Sequence, residues 1–262
     1  MPFAGYFTRM SFTIDISNQV ALITGGTRGI GLSIAEHLAT AGAKVVIASR
    51  RIETVRQAEK SLLEKGLQVT GKICNVGDAD DRKRLIDDVI NLHGQLDILV
   101  NNAAANPVFG KVEDTEPWAF AKIMAINVEA PFELAKLALP YLKTSAYGNV
   151  LNISSIGGLT PEPKLGIYSM SKASLNSLTK VLAKEWGGYG IRVNALCPGL
   201  IKTDFSEALW SNDKLVQHMK KATPLGRIGQ PSEIGQLSLA IVSGAAGYCT
   251  GQLFTADGGY TI

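Results

Sequence analysis

Tyr168 and Lys172 stand four residues apart in Tyr168-Ser169-Met170-Ser171-Lys172, and Ser155 lies thirteen residues before the tyrosine. Residues four apart on a helix share a face, so a phenol and an ammonium would point into the same space. A free phenol has a pKa of about 10, too high for ready proton exchange near neutrality. A fixed cation a few ångströms away favours the phenolate and lowers that value. Such a pair turns a tyrosine into a usable proton donor and acceptor. Alone, Tyr-x-x-x-Lys is a weak signal in a chain with 7 Tyr and 26 Lys+Arg. It gains weight from a second pattern upstream.

Thr24-Gly25-Gly26-Thr27-Arg28-Gly29-Ile30-Gly31 follows a β-branched run and opens a helical one. Glycines there permit a tight turn and close approach of the backbone to a pyrophosphate. The helix N-terminus adds free N–H groups and the positive end of its dipole. The spacing is Gly-x-x-x-Gly-x-Gly, through Gly25, Gly29 and Gly31. Ser49 falls at the end of the next strand, where an acid would hold a ribose 2′-hydroxyl, and Arg50 and Arg51 follow it. A serine and a guanidinium suit a 2′-phosphate instead, and Arg28 is placed to approach the same group. The pattern favours NADP(H), with NAD(H) as the alternative.

The elements that must position these residues are short β-branched runs alternating with helical patterns. The runs are Val20–Thr24, Lys44–Ala48, Val69–Cys74, Asp97–Val100, Asn149–Ile153, Arg192–Leu196 and Leu253–Ala256. Between them lie helical patterns over Gly31–Ala41, Glu53–Lys65, Asp80–Leu92, Trp118–Leu142, Tyr168–Trp186 and Ser232–Val242. Near-continuous apolar strands imply a sheet covered on both faces, and strand–helix alternation implies parallel strands. The expectation is an α/β, single-domain, doubly wound Rossmann fold over residues 18–262. The first seventeen residues, Met1 to Ser17, lack the apolar stretch of a secretory signal and read as an N-terminal extension. Leu200–Thr223 is the one long interruption and reads as a substrate lid, a short helical cover whose apolar residues are Phe205, Leu209, Trp210, Leu215 and Met219.

Bulk properties narrow the function classes. With 26 basic and 23 acidic residues the net charge is +3, which gives no support for a nucleic-acid or membrane partner. Cys74, Cys197 and Cys249 are scattered, and His37, His93 and His218 show no ligand spacing, so neither a disulfide framework nor a metal site is expected. Reduced thiols point to a cytoplasmic setting.

Taken together the motifs resemble the short-chain dehydrogenase/reductase family, from about Val20 to Gly259. The resemblance rests on Thr24–Gly31, Asn101-Asn102-Ala103-Ala104, Asn127, Ser155, Tyr168, Lys172, and Pro198-Gly199 followed by Thr203. Two positions depart from the usual pattern: Ala104 replaces a glycine, and Asn75-Val76 replaces Asp-Val. The resemblance implies a seven-stranded parallel sheet in the order 3-2-1-4-5-6-7. It implies that Tyr168 is the general acid in reduction, and that Lys172 lowers the phenol's pKa and binds the nicotinamide ribose. It implies that Ser155 bonds the substrate carbonyl oxygen, and that Asn127 holds a water relaying protons to Lys172. Cofactor contacts would come from Gly25, Thr27, Arg28, Gly29, Ile30, Gly31, Ser49, Arg50, Asn75, Val76, Asn102, Ala103, Ala104, Tyr168, Lys172, Pro198, Gly199, Ile201 and Thr203. Asn101 would support the cofactor-binding backbone, and Asn75 would face the adenine amine. A homotetramer or homodimer is also implied, through Trp118–Leu142, Tyr168–Trp186 and the last strand.

The substrate end is expected to use Ser155, Asn106, Phe109 and Trp210, with Pro107, Ile156, Thr160, Pro161, Phe205 and Leu209 as apolar wall. No Arg or Lys is evidently placed to grip a carboxylate, which favours a moderately hydrophobic ketone or aldehyde. Asn106-Pro107-x-Phe109-Gly110 and the Pro198–Thr203 stretch look like NADP-dependent carbonyl reductases of the dehydrogenase/reductase member 4 type. A 3-oxoacyl-carrier-protein reductase shares the motifs but would carry arginines where this chain has Ala146-Tyr147 and Tyr189. A sugar or polyol dehydrogenase would want a more polar pocket. A non-catalytic NADPH-binding sensor or scaffold is the reading of another class, and the intact Ser155–Tyr168–Lys172 set opposes it.

Overall fold

The computed structural model describes residues 13–211 and 213–262, with side chains except those of Ala208, Leu209, Lys214 and Leu215. The strands are β1 (Val20–Thr24), β2 (Lys44–Ser49), β3 (Val69–Ile73), β4 (Ile98–Asn101), β5 (Asn149–Ile153), β6 (Arg192–Pro198) and β7 (Leu253–Ala256). They form one sheet in the order β3-β2-β1-β4-β5-β6-β7, and every pairing is parallel. The helices are α1 (Gly29–Thr40), α2 (Ile52–Leu63), α3 (Ala79–His93), α4 (Pro117–Met124), α5 (Ala130–Thr144), α6 (Gly166–Trp186), α7 (Glu207–Trp210), α8 (Asp213–Ala222) and α9 (Pro231–Val242).

Every residue of β1, β4 and β5 is buried, as near-continuous apolar strands require when both faces are covered. One face carries Ile23, Val45 and Leu151 against Ile34 and Leu38 of α1 and Ile234 and Ile241 of α9. The other carries Leu22, Val46 and Leu99 against Leu85 and Val89 of α3, Leu134 of α5 and Leu182 of α6. The strand order reverses between β1 and β4. The crevice beyond the carboxyl ends at such a point is where open α/β sheets bind ligands.

Two expectations need correction. Ile16 is 2% exposed, its N–H donates to the Ala41 carbonyl at 2.9 Å, and Ile14 packs on the same core, so the packed domain begins before residue 18. Residues 1–12 of the expected extension lie outside the described residues. The single helix expected over Trp118–Leu142 is interrupted: α4 and α5 are joined by a π-helical turn, Ala125–Glu129. Pro131 has no N–H for the carbonyl of residue 127, as an unbroken α-helix would need, and the turn takes up that mismatch. The long interruption after β6 is helical, as expected of a short helical cover, with a 3-10 turn at Asp204–Ser206 followed by α7 and α8.

Candidate active site

A cleft of about 630 Å³ runs along the carboxyl ends of the central strands. Its floor at one end is the turn from β1 into α1. Gly25 and Gly29 hold φ of 63° and 51°, left-handed values that glycine alone adopts freely. A Cβ on Gly31 would lie 2.2 Å from the Gly25 carbonyl oxygen, so no side chain fits there. Asn102 pins the turn by donating from its amide to the carbonyls of Thr24 and Gly25, both at 3.0 Å. The Thr24 hydroxyl accepts the N–H groups of Asn102 (3.1 Å) and Ala103 (3.2 Å). This clamp leaves a narrow, side-chain-free cradle at the N-terminus of α1, which fits a dinucleotide pyrophosphate.

Gly25, Thr27, Arg28, Gly29, Ile30, Gly31, Ser49, Arg50, Val76, Asn102, Ala103, Ala104, Pro198, Gly199, Ile201 and Thr203 all line the cleft, as expected. Asn75 does not. It is exposed, its amide oxygen accepts the Gly77 N–H at 3.3 Å, and its own N–H donates to Asp81 at 2.8 Å, so its polar groups serve the local turn. Arg51 is likewise exposed and off the cleft. Asn101 points inward: its amide donates to Asn152 at 2.9 Å, and Asn152 donates to Thr179 at 2.9 Å, a buried chain linking β4, β5 and α6. Arg28 faces Asp204 across the mouth at 3.9 Å, an exposed pair of little energetic weight.

At the other end Ser155 leaves β5 with its hydroxyl accepting the Gly157 N–H at 3.1 Å. Tyr168 and Lys172 project from α6 into the same space. Lys172 is 2% exposed. Its ammonium donates to the Ile153 carbonyl at 2.8 Å and sits 5.7 Å from the centre of the Tyr168 ring. Burial pushes the Tyr168 phenol up to about 12, with the Ser155 hydroxyl pulling the other way. Burial pushes the Lys172 ammonium down to about 8. Removal from water penalises the charged form of both groups. At neutral pH the phenol is protonated, which is the state a proton donor needs.

Asn127 is fully buried in the π-helical turn. Its side-chain oxygen accepts the Ala105 N–H at 2.8 Å, and its amide donates to the Ala105 carbonyl and the Ser171 hydroxyl, both at 3.0 Å. The carboxamide thus ties the segment after β4 to α6.

The substrate end is lined by Asn106, Pro107, Phe109, Ile156 and Phe205, and the Phe205 ring lies 6.3 Å from that of Tyr168. Trp210 is not on the cleft: its indole N–H donates to the Thr203 carbonyl at 2.6 Å and anchors the start of the covering segment. Thr160 and Pro161 are also off it, and the Leu209 side chain lies outside the described residues. Met219 of the expected cover lines the cleft, and Lys122, Glu162, Pro163, Leu165 and Tyr260 line it without having been expected there. The Pro161-Glu162-Pro163 stretch between Ser155 and Tyr168 was the one available signal. Among the described residues there is no cluster of three His, Cys, Asp or Glu suited to a metal, and no helix is long and apolar enough to cross a membrane.

A nucleotide cradle joined to a Ser–Tyr–Lys constellation in one cleft has close parallels. The family model described as enoyl-(acyl carrier protein) reductase matches residues 25–261. The chain is 43% identical over 244 residues to dehydrogenase/reductase SDR family member 4 of Sus scrofa, covering 93% of this chain and 88% of that protein. It is 39% identical over 249 residues to a tropinone reductase homologue of Arabidopsis thaliana, covering 95% of this chain and 94% of the relative. The solved structure of a Sinorhizobium meliloti protein assigned as a short-chain alcohol dehydrogenase superposes with a TM-score of 0.90 at 32% identity, over 95% of this chain and 98% of that one. Sequence likeness over nearly the whole length, the shared sheet order and the cleft all agree: the chain belongs to the short-chain dehydrogenase/reductase family of nicotinamide-dependent oxidoreductases.

Proposed function

We propose that the protein is an NADP(H)-dependent reductase of moderately hydrophobic ketones or aldehydes, acting reversibly on the corresponding alcohols. The carrying observation is that Ser155 and Tyr168 meet a wall of Pro107, Phe109, Ile156 and Phe205 in the same cleft as the glycine turn. Bound nicotinamide would supply the hydride to the carbonyl carbon. Ser155 would orient the carbonyl oxygen, where negative charge grows, and Tyr168 would donate its proton to that oxygen. Lys172 would hold the ribose and return a proton to the phenolate, drawing on a water held at Asn127. The reductase names of the relatives support this direction. Exposed Trp118, Phe120 and Phe132 on α4 and α5 support association of copies into a dimer or tetramer.

The preference for NADP(H) rests on Ser49 and Arg50, which line the ribose end with no acid beside them. Arg50→Asp is expected to shift the ratio of NADPH to NADH efficiency at least about tenfold toward NADH, because a carboxylate repels a 2′-phosphate while a guanidinium clamps it. An unchanged ratio would show Arg50 to be only a solvated charge. The general test is turnover of ketones, diketones, acyl thioesters and sugars with each cofactor. Fastest turnover of an apolar ketone is expected; preference for an acyl thioester would transfer the assignment to carrier-protein-linked reduction.

A further inference from the structure

We propose that Glu162 and Tyr260 form a subsite for a cationic group on the substrate, so that the preferred carbonyl compound also carries a protonated amine; this rests on the reductase reading above. Two segments distant in sequence converge here. Glu162 lies six residues before Tyr168, between two prolines whose fixed φ restricts the loop. Lys164 in the same loop holds φ of 68°, and its carbonyl accepts the Gly110 N–H at 3.1 Å. The Glu162 carbonyl accepts the Leu165 N–H at 3.1 Å. Tyr260 arrives on the turn after β7. Asp257 fixes that turn by accepting the N–H groups of Gly259 and Thr261, both at 2.9 Å, and the Thr261 hydroxyl at 2.7 Å. The Tyr260 hydroxyl donates to the Glu162 carboxylate at 3.1 Å, and both residues line the cleft.

The carboxylate so held is half-buried, and among the described residues no Lys, Arg or His forms an ion pair with it. A neutral phenol orients it without cancelling its charge. The same cleft presents the ring of Phe205. Aromatic rings beside a carboxylate attract an ammonium through both ring quadrupole and charge. The Phe109 and Tyr168 rings are already approached by Lys164 and Lys172, each at 5.7 Å, and so add apolar wall rather than a cation face. Of the lysines that line the cleft, Lys122 is exposed, so water screens it more than it screens Glu162, and Lys172 is engaged with the Ile153 carbonyl at 2.8 Å.

The test compares three cyclohexanones bearing a dimethylamino, an isopropyl or a carboxylate group, binding to the NADP-loaded protein at neutral pH by calorimetry. The amine is expected to bind about fivefold to tenfold more tightly than its isopropyl isostere. Glu162→Gln should abolish that preference and change isopropyl-ketone affinity less than about twofold. Tyr260→Phe, which keeps the charge but frees the carboxylate, should lower the preference part of the way. Tightest binding of the carboxylate compound, no preference in the wild type, or equal weakening of amine and isopropyl ketones by Glu162→Gln would each overturn the subsite. Turnover of the isopropyl ketone with NADPH is read separately. Its absence alongside an intact amine preference would remove the reductase reading and leave the subsite standing.

Discussion

Replacing Tyr168 by Phe is expected to lower turnover at least about a hundredfold, the low end of what a positioned proton donor contributes, while NADPH binding changes little. Phenylalanine keeps the ring that packs 6.3 Å from Phe205 and removes only the hydroxyl, so the cleft should hold its shape. The remaining polar groups nearby are poor substitutes. The Ser155 hydroxyl already accepts the Gly157 N–H, and the Lys172 ammonium is engaged with the Ile153 carbonyl. The pH profile gives a second check. With the phenol pushed up to about 12, its protonated form persists through the neutral and mildly alkaline range, so reduction should not fail there through loss of the donor. Alcohol oxidation needs the phenolate as acceptor and should rise with pH over the same range. Steady-state kinetics in both directions and fluorescence titration with NADPH measure these effects. A variant within about tenfold of wild type would move the proton-donor role elsewhere.

What could be read from sequence divides along a physical line. The β-branched runs and the glycine turn are local patterns, and the strands they mark agree with the observed ones to within two residues. Tyr168 and Lys172 share a face because helical spacing demands it. Their pKa values were not readable, since these follow from how far Tyr168 and Lys172 are withdrawn from water by segments remote in sequence. The π-helical turn was hidden for a similar reason. Asn127 is an awkward residue inside a helix, but its partner Ala105 lies 22 residues away on another element. Trp210 shows the limit of composition: an indole in an apolar segment looked like pocket wall, yet its N–H needed an acceptor and found the Thr203 carbonyl. Glu162 and Tyr260 are separated by 98 residues, and no single-chain pattern joins them.

Lys172→Met is expected to abolish useful turnover and, at neutral pH, to stabilise the fold. The wild-type ammonium is 2% exposed and its pKa is pushed down to about 8 by burial, from 10.5. The folded protein thus releases this proton more easily than the unfolded chain. Between about pH 8 and 10.5 the unfolded chain binds more protons, so wild-type stability attributable to this group rises with pH across that window. Below it the full cost applies, on the order of 3 kcal/mol at ~1.4 kcal/mol per pKa unit. Methionine has similar reach and no charge to desolvate, but it leaves the Ile153 carbonyl without its donor, a loss of roughly 1–3 kcal/mol. The difference is small and favourable at neutrality, a gain of about 1 kcal/mol, or ~2–4 °C in Tm for a domain of this size. Above pH 10.5, where the wild-type amine is neutral in both states, the carbonyl penalty alone remains and the order of stability reverses. Thermal melts of the cofactor-free proteins from pH 6 to 11, beside turnover assays, test this crossing. A wild type more stable than Lys172→Met at every pH would mean that the lost hydrogen bond to the Ile153 carbonyl outweighs the cost of burying the ammonium. The loss of activity would then have no stability counterpart, and Lys172 would not be a residue held in place at the expense of the fold.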